Sequence, residues 1–173
     1  GTGKIGKIFA DICKGFGVNI LAYDKFPNPD LGLNYVELPE LLEKSDVISL
    51  HCPLTEDTQH MINAQSIAKM KPGAIIINTS RGGLIDTEAL INGIKTGQVY
   101  GAGLDVYEEE GDLFYEDFSG HVIQDDTLIR LIAMPNVIVT SHQAYLTKEA
   151  LDNIANTTVN NIKTFFAGEL NPD

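Results

Sequence analysis

Short apolar runs, rich in β-branched residues, alternate along the chain with stretches of helical periodicity, a pattern of parallel βα units rather than hairpins. Ile5, Ile8, Phe9, Ile12 and Phe16 share one helical face and Lys4, Lys7, Asp11 and Lys14 the other, so the chain is predicted to open on a helix stopped by Gly15 and Gly17. Residues 18–23, 46–50, 74–78, 100–106 and 137–140 read as strands, and the consecutive isoleucines 75–77 imply burial on both sheet faces. Helices are predicted over 38–44, with Pro39 in its first turn, over 63–70 before Pro72, and over 86–96 ending at Gly97. A last helix over 147–166 carries Leu151, Ile154, Ala155, Thr158, Ile162 and Phe165 in one stripe. Residues 107–126 hold acids and aromatics without a sustained period and read as a long loop, of the kind that serves function or docks a partner subunit. The sum is a doubly wound α/β parallel sheet.

With 173 residues, 43% of them apolar, the chain has enough material for one domain with a core, here taken as 1–173. Twelve basic against twenty-four acidic residues leave a net charge of −12, which repels phosphate backbones and anionic lipid surfaces, so neither nucleic acid nor membrane is expected as a partner. Cys13 and Cys52 stand in no paired spacing, which fits a reducing, cytoplasmic compartment and gives no thiolate metal site. No apolar run has the length of a membrane span. The first residue is glycine, already inside a glycine-rich motif, so an upstream segment is expected.

That motif, Gly1-Thr2-Gly3-Lys4-Ile5-Gly6, has the form G-x-G-x-x-G and runs into the first helix, where backbone N–H groups and the positive helix end suit a pyrophosphate. Asp24 stands at the end of the next strand, eighteen positions after Gly6, where a carboxylate accepts from both hydroxyls of an adenosine ribose and repels a 2′-phosphate. NAD is therefore favoured over NADP. In a doubly wound sheet the ligand crevice follows the carboxyl ends of the strands. The unusual residues fall there: His51-Cys52-Pro53, Thr79-Ser80-Arg81-Gly82-Gly83, Asp105 and His142.

Arg81 sits in a Gly-flanked turn, where its planar fork can bind a carboxylate bidentately and polarise an adjacent carbonyl. His142 ends another strand, and its imidazole suits the proton exchange that accompanies hydride transfer. One acid of the run Glu108, Glu109, Glu110 and Asp112 can pair with His142 and favour its charged form, and spacing leaves open which. His51, His60 and His121 read as structural, hydrogen-bonded histidines. No second His or Cys lies at ligand spacing from His142, so no metal is expected.

Together these segments resemble the D-2-hydroxyacid dehydrogenase family, and within it the fermentative D-lactate dehydrogenases. The resemblance covers essentially the whole chain: Gly1-Thr-Gly-Lys-Ile-Gly, Asp46-Val-Ile-Ser-Leu-His-Cys-Pro-Leu-Thr, Asn78-Thr-Ser-Arg-Gly-Gly-Leu-Ile-Asp, Asp105-Val-Tyr-Glu-Glu-Glu and Ser141-His-Gln-Ala-Tyr-Leu-Thr. It implies a catalytic set of Arg81, Glu110 and His142. Implied cofactor contacts are Gly1, Gly3, Lys4, Ile5, Gly6, Asp24, Cys52, Pro53, Thr58, Thr79, Arg81 and Asp105. The implied reaction is reduction of a 2-oxo acid, pyruvate, by NADH to the D-2-hydroxy acid, with Arg81 orienting the acid, His142 donating the proton and Glu110 holding the imidazolium. Formate-oxidising relatives carry an amide where this chain has Glu110. Relatives in the lactate group show Phe at the position of Tyr145, beside the substrate side chain.

The resemblance is to the coenzyme-binding half alone. It implies an amino-terminal substrate domain, absent here, and a first strand central to the order 3-2-1-4-5-6, so a Rossmann-like sheet lacking that strand is expected, with two strands losing partners. Homo-oligomerisation is implied too, with this domain and residues 107–126 as the candidate contact surfaces. A dinucleotide-sensing, corepressor-like dimerisation module without turnover is the competing reading.

Overall fold

A computed structural model of the chain describes residues 1–109 and 125–168, in two units, Gly1–Ser141 and His142–Asp173. In the first unit, α1 (Lys4–Lys14) leads to β1 (Leu21–Ala22), which pairs in parallel with β2 (Asn34–Tyr35). After α2 (Leu38–Lys44), a second sheet takes β3 (Val47–Leu50), β4 (Ala74–Asn78), β5 (Val99–Leu104) and β6 (Val137–Val139) in that spatial order, all parallel. Crossover helices α3 (Ala64–Lys69), α4 (Thr87–Thr96) and α5 (Asp126–Ile132) connect them, and α6 (Lys148–Phe166) belongs to the second unit.

Several helices begin one residue inside their predicted bounds because the predicted first residue is the cap. Asn63 accepts from the N–H groups of Gln65 and Ser66 while Ser66 Oγ accepts from Asn63 N, a reciprocal capping box. Asp86 accepts from Ala89 N, Asp125 from Leu128 N and Thr147 from Ala150 N. Helix α5 carries no strong sequence signal and was not among the expected elements. Residues 110–124 and 169–173, which include Glu110, Asp112 and His121, lie outside the described residues.

The core sits where β3, β4 and β5 meet α3, α4 and α5. Ile76 and Ile91 are fully buried, with Ile62, Leu84, Leu90 and Leu131 around them. Each such side chain contributes about 1.5–3 kcal/mol by leaving water. Helix α1 behaves differently from its pattern. Its buried residues are Gly6 and Ala10, while Ile5, Ile8, Ile12 and Phe16 are exposed. The small-residue side faces inward because a Cβ on Gly6 would lie 2.2 Å from the carbonyl oxygen of Gly1, so nothing larger fits between helix and turn.

The sheet is interrupted as expected. Among the described residues, strand β3 has no hydrogen-bonded neighbour on its far edge from β4, nor has β1 on its far edge from β2. Between them lies a cavity of about 770 Å³, lined by Phe9, Cys13, Ile20, Leu41, Ile48 and Leu50 among others. The predicted strand over 18–23 shrinks to Leu21–Ala22 for the same reason: pairing exists on one side only, and Val18, Asn19 and Ile20 line the cavity instead.

Candidate functional site

The glycine turn and Asp24 form one cluster. Gly1 packs so tightly on the end of β3 that an added Cβ would sit 2.6 Å from the carbonyl oxygen of His51. Around Gly3 the opposite holds: a Cβ there meets nothing within 4 Å. Gly3 is also the N-cap of α1, with no side-chain cap hydrogen bond and no acid in the first turn, so the first N–H groups of the helix have no side-chain cap. Lys4 and Ile5 are exposed in that first turn.

Asp24 is held in place from two sides. Its Oδ2 accepts from Thr2 N at 2.6 Å and Thr2 Oγ1 at 3.1 Å, and its Oδ1 from Phe26 N at 2.8 Å. Burial pushes its pKa up, but the N–H groups of Thr2 and Phe26 and the Thr2 hydroxyl outweigh it and hold the carboxyl below the usual aspartate value. Asp24 also borders a cavity of about 290 Å³ with Pro27, Tyr35 and Glu37. Two fixed carboxylate oxygens, an uncapped helix start and a glycine with room in front of it fit the ribose and pyrophosphate of a dinucleotide.

From there a row of backbone contacts follows the carboxyl ends of β3, β4 and β5. His51 Nε2 lies 2.9 Å from Ser49 Oγ and its ring tilts against Phe9, and burial lowers its pKa. Burial raises the Cys52 thiol, which lies 3.5 Å from Met61 Sδ. Thr58 Oγ1 donates to the Pro53 carbonyl at 2.7 Å, pinning the loop after β3. Ser80 Oγ donates to the Cys52 carbonyl at 2.6 Å, joining that loop to the turn after β4. Buried Asn78 braces the same turn, donating to the Arg81 carbonyl at 2.9 Å and accepting from Ser80 N at 3.0 Å. Thr79 and Arg81 are exposed, with Arg81 Nη1 donating to the Ser80 carbonyl.

The turn after β4 then meets the exit of β5. A Cβ on Gly82 would fall 2.0 Å from the Tyr107 carbonyl oxygen and 2.5 Å from Glu108 N, so only glycine allows this approach. Asp105 is buried, accepts from Thr140 Oγ1 at 2.5 Å and donates its N–H to the Asn78 carbonyl, tying the ends of β4, β5 and β6. Tyr107 OH donates to Asp125 at 2.7 Å, and burial with that carboxylate keeps the phenol protonated well above its ordinary range.

The structure thus gathers Gly1, Gly3, Gly6, Asp24, Cys52, Pro53, Thr58, Arg81 and Asp105 within the first unit. His142, at a left-handed φ of 52°, and the exposed Tyr145 belong to the second unit. Glu110 lies outside the described residues. Thr2, Asn78 and Ser80 fall inside motifs legible in the sequence, but their bracing roles are not; Tyr35, whose OH lies 2.8 Å from Thr2 Oγ1, carries no sequence signal.

Among the described residues no three His, Cys, Asp or Glu side chains are placed to hold a metal ion, and no helix is long and apolar enough to cross a membrane.

Comparison with known proteins bears on the family and the fold. The D-lactate dehydrogenase of Escherichia coli K12 is 50% identical over 176 residues, covering all of this chain and 54% of that protein. The pyruvate reductase of Chlamydomonas reinhardtii superposes with a TM-score of 0.95 at 45% identity, over 100% of this chain and 54% of that one. The D-lactate dehydrogenase of Aquifex aeolicus, solved with NAD and lactic acid, gives a TM-score of 0.88 at 41% identity, over 98% of this chain and 52% of that one. The chain spans about half the length of the relatives it matches. Its residues 1–144 match the model of the D-isomer specific 2-hydroxyacid dehydrogenase NAD binding domain, and the chain belongs to that family.

Proposed function

We propose that this chain is the coenzyme-binding half of an oxidoreductase that reduces pyruvate, or a close 2-oxo acid, to the D-2-hydroxy acid. The observation that carries the proposal is the contact of Gly82 with the Tyr107 carbonyl, which sets the Arg81 turn against the root of the acidic run on the ligand-binding edge of the sheet. The D-lactate dehydrogenases of Escherichia coli and Aquifex aeolicus and the pyruvate reductase of Chlamydomonas reinhardtii support the choice of acid.

Gly1, Gly3, Lys4, Ile5 and Gly6 would hold the pyrophosphate at the start of α1, and Asp24 the ribose hydroxyls. Cys52, Pro53, Thr58, Thr79, Arg81 and Asp105 complete the cofactor contacts. A dinucleotide held by these residues would, when bound, supply hydride chemistry at the substrate carbonyl. Arg81 binds the substrate carboxylate through its fork and orients the carbonyl. His142 holds a proton and passes it to the carbonyl oxygen, Glu110 favours the charged imidazolium, and Tyr145 borders the substrate side chain.

In the full-length protein, an amino-terminal substrate domain faces this half, and a strand enters the cavity between β1 and β3. That strand would satisfy both unpaired edges, which otherwise expose backbone groups. The protein is a cytoplasmic homo-oligomer in this reading, and the exposed Ile5, Ile8 and Ile12 of α1 are apolar surface that an assembly would bury. The test is turnover of pyruvate with NADH by the full-length protein. His142→Ala should abolish turnover and leave NADH binding intact; an unchanged rate would remove His142 from the proton step, and NADH binding with no turnover of any 2-oxo acid would favour the sensing module.

A further inference from the structure

We infer that His60 and Glu108 are positioning residues for Arg81: their contact locks the turn that carries the guanidinium onto the exit of β5. The inference rests on the reading of Arg81 as the anchor of the substrate carboxylate. His60 Nε2 donates to Glu108 Oε1 at 2.5 Å, across 48 positions of sequence. The other carboxylate oxygen, Oε2, accepts from Thr87 Oγ1 at 3.1 Å and lies 3.4 Å from Thr87 N, at the start of α4. Glu108 therefore sits at a ten-residue helix's positive end, in addition to the Asp86 cap.

Each partner of Glu108 is itself fastened to the Arg81 turn. His60 N donates to the Gly83 carbonyl at 2.9 Å, Ile62 N to the Leu84 carbonyl at 3.0 Å, and Asp86 N to the Ile62 carbonyl at 2.8 Å. These bonds make a parallel bridge, Ile62 to Ile85, running alongside residues 83–86. Arg81 is the residue immediately before the short 3-10 turn Gly82–Leu84. Gly82 in turn touches the backbone of Tyr107 and Glu108. The result is a closed ring of contacts: from Arg81 through Gly82 to Glu108, across to His60, and back through Gly83.

His60 holds a left-handed backbone, with φ 50°, although it is not glycine. Strained backbone of this sort persists where the surroundings fix it, and it gathers at functional sites. The pair is about one-third exposed, at 38% and 30% for the two side chains, which makes it a weak source of global stability. A geometric role follows. A bidentate arginine needs its fork aligned with the carboxylate, and displacement of the turn by about 1 Å is enough to weaken that alignment strongly.

Steady-state kinetics of the full-length protein with pyruvate and NADH test the inference. Glu108→Ala and His60→Asn are expected to raise the pyruvate KM about tenfold, with kcat and NADH affinity within about twofold of the parent. Asparagine tolerates the left-handed backbone but is too short to reach Glu108, so it removes the contact without adding strain. His60→Gln restores an N–H of similar reach and is expected to recover most of the lost KM. An unchanged pyruvate KM in both variants overturns the inference, as does a KM rise matched by equal weakening of NADH binding, or one that His60→Gln does not relieve. Should Glu108→Ala fail to fold, His60→Asn decides. Arg81→Gln separates the two levels: if it raises KM while the His60 and Glu108 variants do not, only the positioning role falls; if it leaves KM unchanged, the carboxylate-anchor reading falls and takes the inference with it.

Discussion

The backbone of Gly82 lies so close to Tyr107 that a methyl group on Gly82 would overlap the Tyr107 carbonyl oxygen at 2.0 Å. This contact joins the turn after β4 to the exit of β5. The colliding atom is backbone rather than the tip of a flexible side chain, so one of the two loops has to move. Gly82→Ala is expected to cost about 2–3 kcal/mol, seen as a fall of several degrees in the thermal midpoint, and to lower kcat/KM for pyruvate by more than it weakens NADH binding. Thermal melts and kinetics on the full-length protein check both.

Asp24 gives a pH prediction. Its folded pKa is depressed, so its contribution to stability is present above the unfolded value of about 4 and is lost as pH falls through the lower folded value. Asp24→Asn should therefore be less stable than the parent near pH 6, with the difference closing in more acidic buffer. Denaturant melts between pH 6 and 2.5 measure it. A gap that widened on acidification would contradict the assigned hydrogen bonds.

The same substitution bears on coenzyme choice. Removing a carboxylate that accepts ribose hydroxyls should weaken NADH binding by about 10- to 100-fold, and removing its charge should improve the relative use of NADPH. Fluorescence titrations with both nucleotides would show the shift in ratio.

Thr140→Val tests the tie across the strand ends. Asp105 is 6% exposed and accepts from the Thr140 hydroxyl, so the isosteric valine takes a donor from a buried carboxylate. The expected cost is about 1–2 kcal/mol. Thr140→Ser should retain most of the stability, and thermal melts of the three proteins compare them.

Cys52 is expected to be a slow thiol. Burial raises its pKa, so little thiolate is present at neutral pH. Labelling with iodoacetamide, followed by mass spectrometry, should be slow at pH 7.5 and quicken steeply above pH 9.

Much of this architecture is legible locally. The isoleucines at 75–77 announce a strand buried on both faces, and Ala74–Asn78 is that strand. Asn63, Asp86 and Thr147 announce helix starts because capping depends on residues a turn apart. Helix α1 is equally legible as a helix with one apolar face, but that it packs through Gly6 and Ala10 and leaves Ile5, Ile8 and Ile12 exposed is not. Periodicity reports where apolar residues lie around the axis, whereas the approach of Gly6 to Gly1 determines which side packs. Strand 18–23 is a related case, since its length depends on neighbours that the apolar run cannot report.

By itself the sequence determined the alternation of strands and helices, the glycine turn, the acid at the end of β1 and the polar residues at the strand ends, because each depends on residues near one another along the chain. The binding of Glu108 to His60 and Thr87 and the bracing of the Arg81 turn by Asn78 and Ser80 came only from the folded structure. Those features arise from contacts between residues distant in sequence, whose distances and directions are set by packing and strand pairing, and no local pattern encodes them.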